Sequence, residues 1–359
     1  MKSLGCLGLV AFTVAAIAAS QAGSEDQLTI ASAGGAWQQA QRNAWYAPFA
    51  QKMGIKFNEE ETSAGMARVQ AMVQAHNVTD DVVTVDTAQV LAACDSSILV
   101  KLDWNKIAPR DSFLPGAARD CGMGLDVYGD VLAYNTDVVK SDPPTSVLAL
   151  FDTKRWPGKR GMQKIASNNL EWALEADGVP IDQVYKVLAT PQGVARAFAK
   201  LDTIKKDIVW WQAGAQPPQL LASREVVMTT AWNGRIQNPI DNEHAPFKIV
   251  WTNELIEYDM ISIPKGSSHL DLAYKYLAYV AQPENNARLG QFIPYGPVVK
   301  DAVKYVPPEV LPKLPTAPDH MKDALPMDME FWADYGQDLT KRFNATVAVV
   351  HGLANPGCN

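Results

Sequence analysis

Short apolar runs alternate along the chain with longer stretches in which apolar positions recur every three or four residues. This alternation predicts the elements. Residues 28–31 form an apolar, strand-like run that ends in the loop Ser32-Ala33-Gly34-Gly35. Trp37, Ala40, Ala44, Trp45 and Phe49 then fall on one face of a predicted helix, which Pro48 should bend or weaken near its end. Strands are expected at 55–57 and 81–85, with helices over 66–74 and 87–93. The run 127–135 is a longer strand. After it the pattern predicts helices at 170–176, 181–188 and 194–205, and strands at 208–211, 226–231 and 248–251. A strand at 260–264 precedes a helix over 270–281, and the Pro-rich stretch 307–326 reads as an ordered connector. Strands alternating with helices imply an α/β fold with a largely parallel sheet. At 359 residues the chain is long enough for two such domains, each with its own core.

The N-terminus departs from this pattern. Lys2 supplies one positive charge, an apolar run extends from Leu4 to Ala19, and Ser20-Gln21-Ala22 places small residues where a signal peptidase reads. Residues 1–22 are therefore expected to be a secretory signal peptide, cut after Ala22, and the mature chain periplasmic. The run is barely long enough for a membrane anchor and lacks a basic stop-transfer flank. An exported chain meets an oxidising compartment. There Cys94 and Cys121 are the natural disulfide pair, with Cys6 leaving in the signal and Cys358 left in the C-terminal tail. No CxxC occurs and the five histidines are scattered without ligand spacing, so no metal or other cofactor is expected. The formal net charge of −7, with both signs mixed, argues against nucleic acid as a partner. It suits a cationic or zwitterionic small ligand.

Several short strings extend the reading. They are Gly34-Gly35-Ala36-Trp37, Val131-Leu132-Ala133-Tyr134-Asn135-Thr136 and Pro157-Gly158-Lys159-Arg160-Gly161, then Trp210-Trp211-Gln212-Ala213-Gly214-Ala215-Gln216 and Met228-Thr229-Thr230-Ala231-Trp232-Asn233-Gly234. Ile263-Pro264-Lys265-Gly266 and Ile293-Pro294-Tyr295-Gly296-Pro297 complete them. In this order they resemble the periplasmic solute-binding proteins of ABC importers, specifically the spermidine/putrescine-binding-like family. The resemblance implies an α/β, two-lobed periplasmic binding protein fold of type II, each lobe a mostly parallel sheet flanked by helices. Residues 23–133 and 260–305 would form the N-terminal lobe, and 134–259 with 306–359 the C-terminal lobe. The ligand would lie in the cleft, and the lobes would close on it by a hinge. A monomeric receptor would then meet an inner-membrane ABC permease in its closed form.

Site residues carry over position by position. Trp37 matches the family's stacking aromatic, whose indole face holds an ammonium group, although a helix-face core Trp is the plain alternative. Asp86 follows the third strand, where polar residues of the family face the cleft; Asp in that place also commonly caps a helix. Tyr128 in the first crossing segment and Tyr295 in the Pro-Tyr-Gly-Pro turn match aromatic contacts, and either can equally be scaffold. Trp232 resembles the ring that sandwiches the alkyl chain in polyamine receptors, and Asp259 the acid that pairs with the amine. Arg235 departs from the polyamine pattern. A guanidinium repels a polycation and matches a carboxylate with forked donors. Arg235 and Asp259 in one cleft, with aromatic walls between, predict a zwitterion site, unless Arg235 turns away to bridge structural carboxylates. Trp210 and Trp211 are adjacent, so they cannot both face one way on a strand. Glu171 suits a helix start on dipole grounds alone.

The expected function is the solute receptor of an ABC importer, binding an amino-carboxylate such as 4-aminobutyrate or a betaine. A polyamine receptor is the alternative. A metal or anion receptor would want clustered tyrosines, and no adjacent Tyr pair occurs. A secreted hydrolase would want a GxSxG elbow, an HExxH helix or a Cys/His pairing; none is evident, so no catalytic residue is expected.

Overall fold

The computed structural model describes residues 27–61 and 65–350, so the expected signal peptide and Cys358 lie outside the described residues. Ten strands build one sheet. They are β1 (Gln27–Ser32), β2 (Lys56–Glu61), β3 (Val82–Asp86), β4 (Met123–Asn135), β5 (Arg160–Gln163), β6 (Ile208–Trp211), β7 (Met228–Trp232), β8 (Phe247–Ser262), β9 (Gly296–Pro297) and β10 (Leu325–Pro326). The main path runs β2-β1-β3-β8-β4-β7-β5-β6, with β9 on β4 and β10 on β8. Pairings at both ends of the path are parallel, β1 with β2 and β3, and β5 with β6 and β7. The two long strands between them run antiparallel to each other and reach into both halves. β8 pairs with β3 over 259–262, and β4 pairs with β7 over 130–134.

Parallel strands need crossovers, and these cover both faces of the sheet. Every residue of β4 is accordingly buried, which is why its sequence shows no simple alternation. The largest core gathers Leu28, Trp45, Phe113, Met123 and Tyr276, and a second gathers Leu132, Met162, Trp172, Met228 and Phe343, with smaller clusters around Val85 and Met260 and around Ala231 and Ile236.

The expected elements recur with informative differences. The strands predicted at 248–251 and 260–264 are a single strand, β8, because the polar stretch between them carries carboxyls into the sheet rather than into a loop. β5 has no predicted counterpart. Its Arg160 is fully buried, donating from Nε to Leu150 O at 3.1 Å and from Nη1 to Gly158 O at 2.6 Å, so a charged residue serves as a core staple. The first helix, Gly35–Gln41, meets Pro48 differently from expectation. A π turn at Arg42–Tyr46 precedes the continuing helix Ala47–Met53. It widens the coil where the proline ring would otherwise clash with the carbonyl four residues back. The connector 307–326 is ordered, with 3₁₀ turns at Leu311–Lys313 and Met321–Asp323. Cys94 and Cys121 are bonded, with Cα atoms 5.6 Å apart, tying the helix Thr87–Asp95 to the approach to β4. Among the described residues no helix is long and apolar enough to cross a membrane.

Candidate ligand-binding site

The register of the two long strands builds the floor of the site. On adjacent strands Asp86 stands opposite Asp259, and Asp259 opposite Asp126. Tyr128 stands opposite Glu257, and Asp130 opposite Trp232 of β7. Residues paired across strands share a face, and alternate residues of one strand share it too. One face of the sheet centre therefore collects Asp86, Asp126, Asp130, Glu257 and Asp259 beside Tyr128 and Trp232. Burial disfavours their charged forms. It pushes Asp130 and Asp259 up to about 7, and Asp126 and Glu257 well above the ordinary carboxylate range. Tyr128 Oη donates to Glu257 Oε2 at 3.0 Å. Both oxygens of Asp126 and Oδ2 of Asp130 are buried without a hydrogen-bond donor.

Aromatic rings form the wall. Trp37 packs on Tyr295 with centroids 5.5 Å apart, Tyr295 on Tyr128 at 5.9 Å, Tyr128 on Trp232 at 6.4 Å, and Trp232 on Trp211 at 5.6 Å. Of the two adjacent tryptophans, Trp211 is thus the one beside Trp232, while Trp210 packs on Phe343. Asn233 locks the wall in place. Its Nδ2 donates to Pro294 O at 2.8 Å, and its Oδ1 accepts from Gly129 N at 3.0 Å, joining β4 to the turn that carries Tyr295.

Arg235 completes the site from the first turn of the helix Asn233–Glu243. It is 6% exposed, with its guanidinium 5.7 Å from the Trp232 ring centroid. Nη2 donates to Gly34 O at 3.3 Å, and Nε is buried without a partner. Gly34 and Gly35 both adopt positive φ, 70° and 58°, which a side chain disfavours. A Cβ on Gly35 would come within 2.8 Å of Nη1. The glycine pair thus does more than turn the chain: it leaves room for the guanidinium. The positive charge of Arg235 draws the Asp259 carboxyl down against the larger effect of burial.

Every residue singled out from the sequence — Trp37, Asp86, Tyr128, Trp232, Arg235, Asp259 and Tyr295 — lies in or beside this cluster. Asp86 also caps the helix Thr87–Asp95, its Oδ1 accepting from Gln89 N at 2.9 Å. Glu171 is buried on a neighbouring helix, where Trp332 Nε1 donates to it at 2.6 Å and Tyr185 Oη at 3.1 Å. Sequence reasoning missed Asp126, Asp130, Glu257 and Asn233. Only the i, i+2, i+4 spacing of Asp126, Tyr128 and Asp130 signals a shared face. Among the described residues, no group of three His, Cys, Asp or Glu side chains is arranged to hold a metal ion.

Comparisons with known proteins agree with this architecture. Residues 44–318 match the model of the bacterial extracellular solute-binding protein family. A gamma-aminobutyric acid-binding protein of Pseudomonas aeruginosa is 41% identical over 337 residues, 94% of this chain and 95% of that protein. The solved structure of the GABA receptor Atu4243 matches with a TM-score of 0.81 at 32% identity, over 93% of this chain and 100% of that one. The spermidine/putrescine-binding protein PotD of Streptococcus pneumoniae matches at 0.68 and 18% identity, over 90% and 100%, a likeness of fold alone. The fold is the α/β, type II periplasmic binding protein fold that the sequence resemblance implies. The chain belongs to the bacterial extracellular solute-binding protein family, the non-enzymatic binding components of ABC transporters.

Proposed function

We propose that the protein is the periplasmic receptor of an ABC importer for a small zwitterion, with 4-aminobutyrate as its cargo. One observation carries this reading. A buried guanidinium with an unpartnered Nε, Arg235, shares an aromatic-walled site with a row of buried carboxyls. The ligand carboxylate would take the fork of Arg235. The ammonium would take Asp259, and the alkyl chain would lie against Trp232 and Tyr295. The relatives named for gamma-aminobutyric acid support the same cargo. A polyamine has no group for Arg235 to hold. A betaine has no N–H for carboxyl oxygens that lack a donor.

In this reading the signal peptide exports the chain, and the lobes divide as 23–133 with 260–305 and 134–259 with 306–359. Closure across β4 and β8 brings Trp37 and Tyr295 against Trp232 and Arg235. The closed monomer then docks on the inner-membrane permease. Isothermal titration of the mature protein should give saturable binding of 4-aminobutyrate and none of putrescine or spermidine. Binding of the polyamines alone removes the zwitterion reading.

A further inference from the structure

Asp126 has no task in the reading above, yet it is 1% exposed and neither of its oxygens has a donor. It stands directly opposite Asp259 across β4 and β8. Cross-strand partners hold their Cβ atoms about 4.5–5.5 Å apart. Two ionised carboxylates at that separation, out of water, repel each other until one keeps a proton. The surroundings deepen the repulsion. Asp86 faces the pair from β3, Glu257 from β8, and Asp130 and Tyr128 from β4. Glu171 adds its field to Asp130 and Glu257 from the helix Asn169–Ala176, and the Tyr295 phenol closes the other side. Arg235 is the counter-charge that acts on Asp259.

We propose that Asp126 and Asp259 form one exchange site, which holds a proton between them when the cleft is empty and releases it when the ligand's ammonium arrives. The ammonium brings three N–H donors and remains charged near neutral pH, its own pKa lying near about 10. One proton leaves to solvent for each ligand bound, and the ammonium charge takes its place. Burial raises both carboxyls, Asp259 to about 7, in keeping with a proton present below neutrality. The inference rests on the zwitterion reading and adds a pH law to it. Affinity should rise with pH towards neutrality, by up to about tenfold per unit in the acid range. A pair of ordinary solvated carboxylates would show no such slope there.

The test is titration calorimetry with 4-aminobutyrate at about pH 6 in phosphate and in bis-Tris, buffers with different heats of ionisation. Wild-type enthalpies should differ by an amount equal to about one proton released per ligand. Asp126→Asn should bind more weakly, release clearly less than one proton per ligand and show a shallower pH slope. Equal wild-type enthalpies in the two buffers overturn the proposal, as does proton release undiminished in Asp126→Asn. If that variant does not fold, the wild-type comparison decides alone. No binding heat in either buffer removes the zwitterion reading, and this proposal with it. Binding heat without proton release removes only the proposal.

Discussion

Arg235 is held by the Trp232 ring, the space at Gly35 and a single carbonyl, not by a paired carboxylate. Arg235→Ala is therefore expected to weaken 4-aminobutyrate binding by about a hundredfold, because the ligand carboxylate would be buried unpaired. Far-UV circular dichroism should not change, and unaltered affinity would refute the assignment. A second residue predicts the pH dependence of stability. Glu254 is fully buried against Gly129, where a Cβ would come within 2.3 Å of its Oε2, and neither oxygen has a partner. Burial first, and the nearby Asp130 second, push it up to about 9. The unfolded chain loses this proton near pH about 4.3, whereas the folded chain keeps it. Stability should therefore fall as pH rises from that point through about 9. Glu254→Gln should flatten the decline in melting temperature between about pH 5 and 9. Parallel curves for the two proteins would contradict the assignment.

At the scale of elements, the site depends on how strands end and how helices begin. β3 ends in Asp86, which caps the next helix while standing beside Asp259. Losing such a cap costs about 1 kcal/mol. Asp86→Ala should show that loss in chemical denaturation, whereas Asp86→Asn keeps an acceptor and should lose little. Equal losses would mean that the charge, rather than the cap, stabilises the helix. β8 illustrates a second device. Its register on β4 shifts between Val250 and Leu255, and Asn253 within that stretch has a φ of 65°. Asn253 is fixed there by Ser146 and Glu175, at 2.7 Å each, so the irregularity is pinned by both flanking segments. The strand can thus remain continuous while it turns Glu257 and Asp259 towards the site.

Across the whole molecule, the disulfide and the hydrophobic clusters share the work of stability. The bridge closes a sequence separation of 27 within the first half of the chain, in the smaller cluster that holds Val83, Val90 and Met260. Reduction should cost about 2–4 kcal/mol of unfolding free energy, read from denaturation curves with and without reductant. Thiol titration of denatured, unreduced mature protein should find one free thiol, that of Cys358. Three would contradict the bridge.

Much of this was legible along the chain. Strand–helix alternation and the ordered family strings led to the right fold class, and the Trp-Asn-Gly-Arg string singled out Trp232 and Arg235. Cys94 and Cys121 followed from compartment and count. These are local or compositional signals, which survive without knowledge of what packs where. The carboxyl row is of another kind. Asp259 was singled out by resemblance, but Asp126 lies in a stretch that reads as an ordinary strand, and nothing in their spacing links the two. Their meeting depends on β4 and β8 running antiparallel in one register, since a slip of one residue would turn every side chain to the opposite face. The same holds for Glu254 and Asn233, whose roles come from contacts with distant backbone. The sequence by itself determined the fold class and an Arg-bearing, aromatic site. Tertiary structure alone decided that the expected acid, Asp259, would stand in a buried row with Asp86, Asp126, Asp130 and Glu257, because only strand pairing brings like charges together where water cannot separate them.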